Sequence, residues 1–224
     1  MKDFTISSEP LHKTLWQENQ AVAKECLVHP FVRGLGDGSL DPEVFKRYVA
    51  QDAFFLQAFF SAYALGAVRA VERRQVVQRL HGLMRGVLDE LKLHESYAES
   101  LAIDLGNVRP QTATSAYTDF LLRTAWSTEV GEIMAAMTPC MRLYAYLGQE
   151  LALGNHSQNP YREWIETYSS AEFEALAAEL ESLLDELAEG TDRVSQAYRY
   201  AMRCELDFFS ASLAKGAVDA LSAQ

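Results

Sequence analysis

Helical periodicity dominates this chain, and an alternating strand pattern is almost absent. That narrows the fold to helix packed on helix. The clearest span opens at Asp41-Pro42, an N-cap followed by proline at the first helical position. From there the pattern can run unbroken to about Val71, a helix of about 45 Å at ~1.5 Å per residue. A shorter helix is expected before it, from about Pro10 to Val28, ended by His29-Pro30-Phe31. The glycine-bearing stretch Gly34 to Leu40 reads as the loop between the two. A third long helix is expected from Arg73 to Leu105, closed by Gly106, with Pro110 in the break that follows. Further helices are expected at 113–127, 130–153, 161–168, 171–188 and 192–215. Ser169 and Glu172 fit a capping box, and Gly190 marks a stop before the last helix. No repeat or shift in composition divides the chain, so residues 1–224 read as one all-α domain.

Charge excludes some partners. There are 31 acids against 20 bases, a formal net charge of −11, and no basic cluster interleaved with aromatics. A phosphate backbone or anionic membrane would be repelled, so neither nucleic acid nor membrane is an expected partner. The apolar stretch from Ile133 to Leu147 is interrupted by Arg142 and is too short to span a bilayer. The three cysteines, Cys26, Cys140 and Cys204, have no CxxC spacing and read as reduced thiols. The first ten residues carry an early acid and no apolar core of a secretory signal, so a cytoplasmic location is expected.

The informative residues are polar groups on apolar helix faces, where an unpaired carboxylate is costly to bury. Asp52 lies on the stripe formed by Val44, Tyr48, Phe55 and Phe59. Glu205 lies on the buried side of the last helix, among Tyr198, Ala201 and Phe208, with Phe209 at i+4. Both acids are expected to face the core. Cys140 follows Pro139 inside a strongly helical run, where proline removes a backbone hydrogen bond and should kink the helix. Such a kink can turn the thiol toward a cavity, with Tyr144 one turn later on the same face. Each feature also has a plain structural reading, as a packed thiol, a hydrogen-bonded core acid or a core tyrosine. Their coincidence in one bundle points to a pocket.

A second constellation competes with this one. Glu90 and His94 stand at i and i+4, with Asp89 adjacent, and with Asp52 and Glu205 they could make a carboxylate-bridged di-metal oxidase site. The two Glu-x-x-His motifs usual for such a centre are absent, so a Glu–His pair bridging helices is the plainer reading and no metal is expected. A non-catalytic scaffold oligomer is the remaining alternative.

The motifs taken together resemble one family. The stretch His29 to Leu56, HPFVRGLGDGSLDPEVFKRYVAQDAFFL, resembles the opening of the TenA/thiaminase II proteins. The resemblance continues at Tyr117-Thr118, Pro139-Cys140 with Tyr144, Tyr161, Trp164-Ile165, Thr167-Tyr168 and Glu205 with Phe208. It implies a heme-oxygenase-like all-helical bundle without haem or other cofactor, assembled as a homotetramer. The implied reaction is hydrolysis of 4-amino-5-aminomethyl-2-methylpyrimidine, or of thiamin, to hydroxymethylpyrimidine in thiamin salvage. By the same resemblance Cys140 is the nucleophile of the cysteine-bearing branch and Glu205 the acid–base carboxylate. Asp52 would hold the pyrimidine's amino edge, and Tyr117, Tyr144 and Tyr168 would line the pocket beside Phe208. Phe55 stands where many relatives have tyrosine, and Met141-Arg142 replaces the more usual aromatic pair. A pocket closed around one ring is expected to favour the aminomethyl compound over thiamin.

Overall fold

The computed structural model describes residues 9–100, 103–104, 108–154 and 157–214, and these form helices and no strand. In chain order the helices are α1 (Leu11–Glu18), α2 (Gln20–Leu27), α3 (Pro30–Asp37), α4 (Pro42–Arg69), α5 (Arg74–Ser100), α6 (Thr112–Ser127), α7 (Val130–Ala152), α8 (Arg162–Tyr168), α9 (Ala171–Leu187) and α10 (Asp192–Leu213). The all-α expectation holds.

Local chemistry sets where several helices begin and end. Asp41 accepts from the Glu43 amide at 2.9 Å ahead of Pro42, as expected for the start of α4. Thr191 caps α10 through the Val194 amide.

Four boundaries differ from the sequence reading. The first expected helix is two, because the buried Asn19 amide donates to the Leu15 carbonyl at 2.8 Å. Its own backbone N–H turns instead to Trp16 O, and the register breaks there. The supposed loop from Gly34 is helical as far as Asp37, because Gly34 and Gly36 are packing residues rather than breakers. A β-carbon on Gly36 would stand 2.6 Å from Leu151 Cδ2, and one on Gly34 would stand 3.1 Å from Leu40. Only Gly38, at φ +77°, takes the left-handed turn that ends α3. The cap of α9 is Ser170, which accepts from Phe173 N at 3.1 Å, so Ser169 and Glu172 form no capping box. Within the described residues α5 ends at Ser100 rather than Leu105, and the expected stop at Gly106 lies outside them. The last helix is described to Leu213; Lys215 lies outside the described residues.

Helix α7 is the centre of the assembly, packing against α9, α10, α8, α6 and α4. It stays helical through Pro139, and the kink expected there does not interrupt it. Two glycines let it approach its neighbours at backbone distance. A β-carbon on Gly131 would lie 2.4 Å from the Leu187 carbonyl oxygen, and one on Gly148 would lie 2.4 Å from the Tyr168 carbonyl carbon. One continuous apolar core surrounds α7, drawing Leu143, Leu147, Leu180, Leu183, Leu184 and Met202 to near-zero exposure. Five tyrosines, Tyr48, Tyr63, Tyr117, Tyr168 and Tyr198, are also fully buried there. Of these, Tyr48, Tyr117 and Tyr168 find hydrogen-bond partners, and where they find them locates the site.

Candidate active site

Asp52 on α4, Glu90 and His94 on α5, Tyr117 on α6, Cys140 and Tyr144 on α7, Tyr168 on α8 and Glu205 on α10 converge in the interior. Asp52 and Glu205 are 4% and 2% exposed, so both acids face inward as their stripes require. Cys140 is half-buried although Pro139 and Met141 on either side are buried, so open space reaches that residue.

At one end Tyr117 donates to Glu205 Oε1 at 2.7 Å, and the Cys140 thiol bears on the same carboxyl. Burial pushes the Glu205 pKa up to about 8, while Tyr117 and Cys140 pull it down and Asp52 adds to the rise. This carboxyl holds its proton at neutral pH. The rings of Phe55 and Tyr117 lie 4.7 Å apart and those of Phe55 and Phe208 6.1 Å apart, forming an aromatic wall beside it.

At the other end Asp52 Oδ2 meets His94 Nε2 at 2.7 Å. His94 Nδ1 lies 3.0 Å from the Glu90 carbonyl oxygen, which can only accept, so Nδ1 carries a proton. Burial alone would lower the His94 pKa. The adjoining Asp52 charge and hydrogen bond, with Glu90, outweigh it and push the value up to about 9. His94 is therefore an imidazolium beside Asp52. Tyr168 donates to Glu90 Oε1 at 2.5 Å. Burial and then the Asp52 charge push Glu90 up to about 7, against the pull of His94 and Tyr168. Tyr144 and Tyr168 rings meet edge to face at 4.9 Å, and Tyr48 ties Tyr144 to the Trp164 indole through its hydroxyl.

The thiol sits between the two ends. Burial raises its pKa well above the ordinary value, and the charges of Glu205, Glu90 and Asp52 raise it further. Among acids and no nearer base than a carboxylate, Cys140 rests as the thiol. Cys26 and Cys204 are also buried, each pushed up to about 12 by burial first and by the Glu205 charge next.

The sequence of the whole chain now decides the kinship. A sequence profile described as the TENA/THI-4/PQQC family matches residues 16–215. The chain belongs to that family. An aminopyrimidine aminohydrolase of Halalkalibacterium halodurans is 34% identical over 79% of this chain and 81% of its own length. The Arabidopsis thaliana protein named bifunctional TH2 protein, mitochondrial, is 34% identical over 92% of this chain. This chain spans only 37% of that relative's length. Among solved structures, a TenA family transcription regulator from Silicibacter sp. TM1040 superposes with a TM-score of 0.84 at 26% identity, covering 91% of this chain and 96% of that one.

In this TENA/THI-4/PQQC protein Cys140, Glu205, Asp52, Phe55, Tyr117, Tyr144, Tyr168 and Phe208 are buried or half-buried in one core, whereas Asp89 is exposed and pairs with Lys92 at 2.8 Å. Sequence spacing favours Glu90 and His94 as a pair bridging helices over metal ligands; what it misses is their partners, Asp52 on α4 and Tyr168 on α8. Among the described residues no group of three or more His, Cys, Asp or Glu side chains is arranged to hold a metal ion. His94 instead occupies Asp52, and Glu90 occupies Tyr168. The i, i+4 spacing was the available signal, and the charge of core-facing Asp52 was the reason to need it. Tyr48, Trp164 and Tyr63 were also unassigned, because buried tyrosines look alike in sequence. Among the described residues no helix is long and apolar enough to cross a membrane.

Proposed function

We propose that this chain is a thiaminase II-type hydrolase, an aminopyrimidine aminohydrolase that replaces the nitrogen on a pyrimidine's exocyclic methylene with water. The observation that carries the reading is the meeting of a protonated thiol, Cys140, with a proton-holding carboxyl, Glu205, opposite the Asp52–His94 pair. The names of the relatives support the substrate class. Residues 1–224 act as one catalytic domain in this reading, in the cytoplasm, with a homotetramer as the working form and no cofactor.

The geometry suits covalent catalysis. His94 engages Asp52 Oδ2, and no described hydrogen bond engages Oδ1, which can accept from the exocyclic amino group of an aminopyrimidine. The ring then lies between the aromatic walls of Phe55, Tyr117 and Phe208 and of Tyr144 and Tyr168. A bare thiolate is disfavoured among three carboxyl groups, so the thiol adds to the ring as its proton leaves. Glu205 gives its proton to the ring nitrogen that gains the electron pair and takes up the proton of the thiol. Tyr117 fixes Oε1 through this exchange, leaving Oε2 for the transfer. The added electron density expels the nitrogen group from the methylene, water adds to the methylene, and the sulfur leaves to restore the aromatic ring. The net change is aminomethylpyrimidine plus water to hydroxymethylpyrimidine plus ammonia.

Incubation with 4-amino-5-aminomethyl-2-methylpyrimidine tests this directly. Release of ammonia and hydroxymethylpyrimidine in equal amounts is the expected result, with a thioether adduct on Cys140 detectable by mass spectrometry after rapid quenching. Absence of both products defeats the hydrolase reading. Products with no adduct and with full activity in Cys140→Ser defeat the covalent route alone.

A further inference from the structure

Hydrolysis needs a second proton acceptor, because the water that captures the methylene must lose a proton. Glu205 is committed to the ring nitrogen and the thiol. Asp52 is held by His94 at one oxygen and by the amino edge of the ring at the other. The phenols of Tyr144 and Tyr168 keep their protons, since burial drives both well above the ordinary value. One carboxyl of the interior has no part in the chemistry so far, and that is Glu90.

The ring dictates where the methylene lies. In a 4-amino-5-aminomethyl-2-methylpyrimidine the methylene stands between the amino-bearing carbon and the one unsubstituted ring carbon, where a thiol has room to add. It therefore lies between Asp52 and Cys140. Glu90 is built beside that position. His94 joins it to the amino edge, with Nε2 2.7 Å from Asp52 Oδ2 and Nδ1 3.0 Å from the Glu90 carbonyl oxygen. On the other side Glu90 shares a cavity of about 300 Å³ with Met141, the residue after the nucleophile. The lining of that cavity runs out to the exposed Asp89 and Glu172, so water reaches the half-buried Glu90. Tyr168, whose ring meets that of Tyr144 at 4.9 Å, fixes Glu90 Oε1 by a hydrogen bond of 2.5 Å. No described hydrogen bond engages Oε2. Burial and then the Asp52 charge bring Glu90 to about 7, so it can exchange a proton at neutral pH.

We propose that Glu90 is the base that takes a proton from the water attacking the methylene. This rests on the hydrolase reading above. The amine leaves from its protonated form as ammonia, keeping the electron pair of the broken bond, and the methylene becomes the end of an exocyclic double bond. The water oxygen then forms the new carbon–oxygen bond as Glu90 Oε2 removes one of its protons. The pair of the exocyclic bond returns to the ring, and the sulfur leaves with its own pair. The proton on Glu90 passes to the departed ammonia, so a cation enters and ammonium leaves. Tyr168 acts here as a positioning residue, holding Oε1 while Oε2 works.

Rapid-quench kinetics on Glu90→Gln with the aminomethyl compound test the assignment. Thiol addition and amine expulsion do not use Glu90, so a burst of ammonia stoichiometric with active sites should come first. Steady turnover after the burst should be slower than that of the unaltered protein by about 10²-fold or more. The thioether adduct on Cys140 should accumulate in the same interval, with hydroxymethylpyrimidine forming only at the slow rate. In the unaltered protein both products should appear together. Glu90→Ala supplied with acetate is the second variant, and the added carboxylate should recover the slow step by about tenfold or more, which a folding defect would not permit. Ammonia and hydroxymethylpyrimidine slowed together in Glu90→Gln, or no recovery of Glu90→Ala by acetate, overturns the proposal and leaves the hydrolase reading intact. Failure of the unaltered protein to turn over the compound overturns both.

Discussion

Helix α7 carries two acid-rich environments two residues apart, and they are built on opposite rules. Around Arg142, four hydrogen bonds of 2.7–2.9 Å run to both oxygens of Glu181 and both oxygens of Glu174, with Gln149 completing Glu174. Both carboxylates there are hydrogen-bonded to one guanidinium. Although burial opposes it, the Arg142 hydrogen bonds and charge bring the Glu174 pKa below the ordinary carboxylate value. Around Cys140, Asp52, Glu90 and Glu205 share a single cation, His94, and burial raises the two glutamates. The same residue type is thus a permanent anion on one side of α7 and a proton store on the other. Stability is concentrated on the Arg142 side and reactivity on the Cys140 side.

That contrast can be broken by substitution. Cys140→Ser should lower turnover at least about 1,000-fold with the fold intact, since oxygen is the poorer nucleophile and nothing nearby ionises it. Retention of near-normal rates would remove the thiol from the chemistry. Glu205→Gln should lower kcat by about 10²–10⁴-fold with a smaller effect on KM, because its proton matters as charge develops in the ring. A change confined to KM would return Glu205 to a binding role.

The same substitution should raise Tm, and the gain should depend on pH. The folded pKa of Glu205, about 8, lies above its ordinary value of 4.5. The contribution of that carboxyl to stability is full below pH 4.5 and is lost as pH rises through 8. The Gln variant therefore gains on the parent over that window, and a gap in Tm that does not widen from pH 5 to pH 8 would contradict the assignment. Over the same upper range kcat of the parent should fall as Glu205 loses its proton.

Asp52→Asn should weaken substrate binding as well as turnover, by about tenfold or more in kcat/KM, because an amide can turn donors toward the amino edge of the ring. On the other side of α7, Arg142→Met should leave turnover within a few-fold and cost about 2–4 kcal/mol of stability by denaturant titration. The buried Glu181 is left uncompensated, while the more exposed Glu174 contributes less. A kinetic defect larger than the stability defect would merge the two regions. Cys26→Ser, which touches none of the hydrogen bonds of Asp52, Cys140 or Glu205, should have the smallest effect on rate.

Much of this was legible in sequence for a physical reason. Asp52, Glu205 and Cys140 betray themselves because a polar group on an apolar stripe is expensive, and α4 and α10 are regular enough for spacing to fix their faces. Glu90 and His94 were visible as a pair, but their partners on α4 and α8 are distant in sequence, and spacing within α5 cannot name them. Asn19 and Gly36 misled for local reasons. A side chain that competes for the helix's own carbonyl, and a glycine chosen for contact rather than turning, look in sequence like ordinary helix and ordinary loop.

The close approaches at Gly131 and Gly148 have a mechanical consequence. They pin α7 against the end of α9 and the junction of α8 with α9, leaving a span between two fixed supports. Pro139 and Cys140 lie at mid-span, farthest from both. Proline has no amide proton to give the Ala135 carbonyl, so the rod is softest there. A bar clamped at both ends and weakened at its centre bends most at that centre. Whatever bending α7 undergoes is therefore expected at the sulfur rather than at the supports.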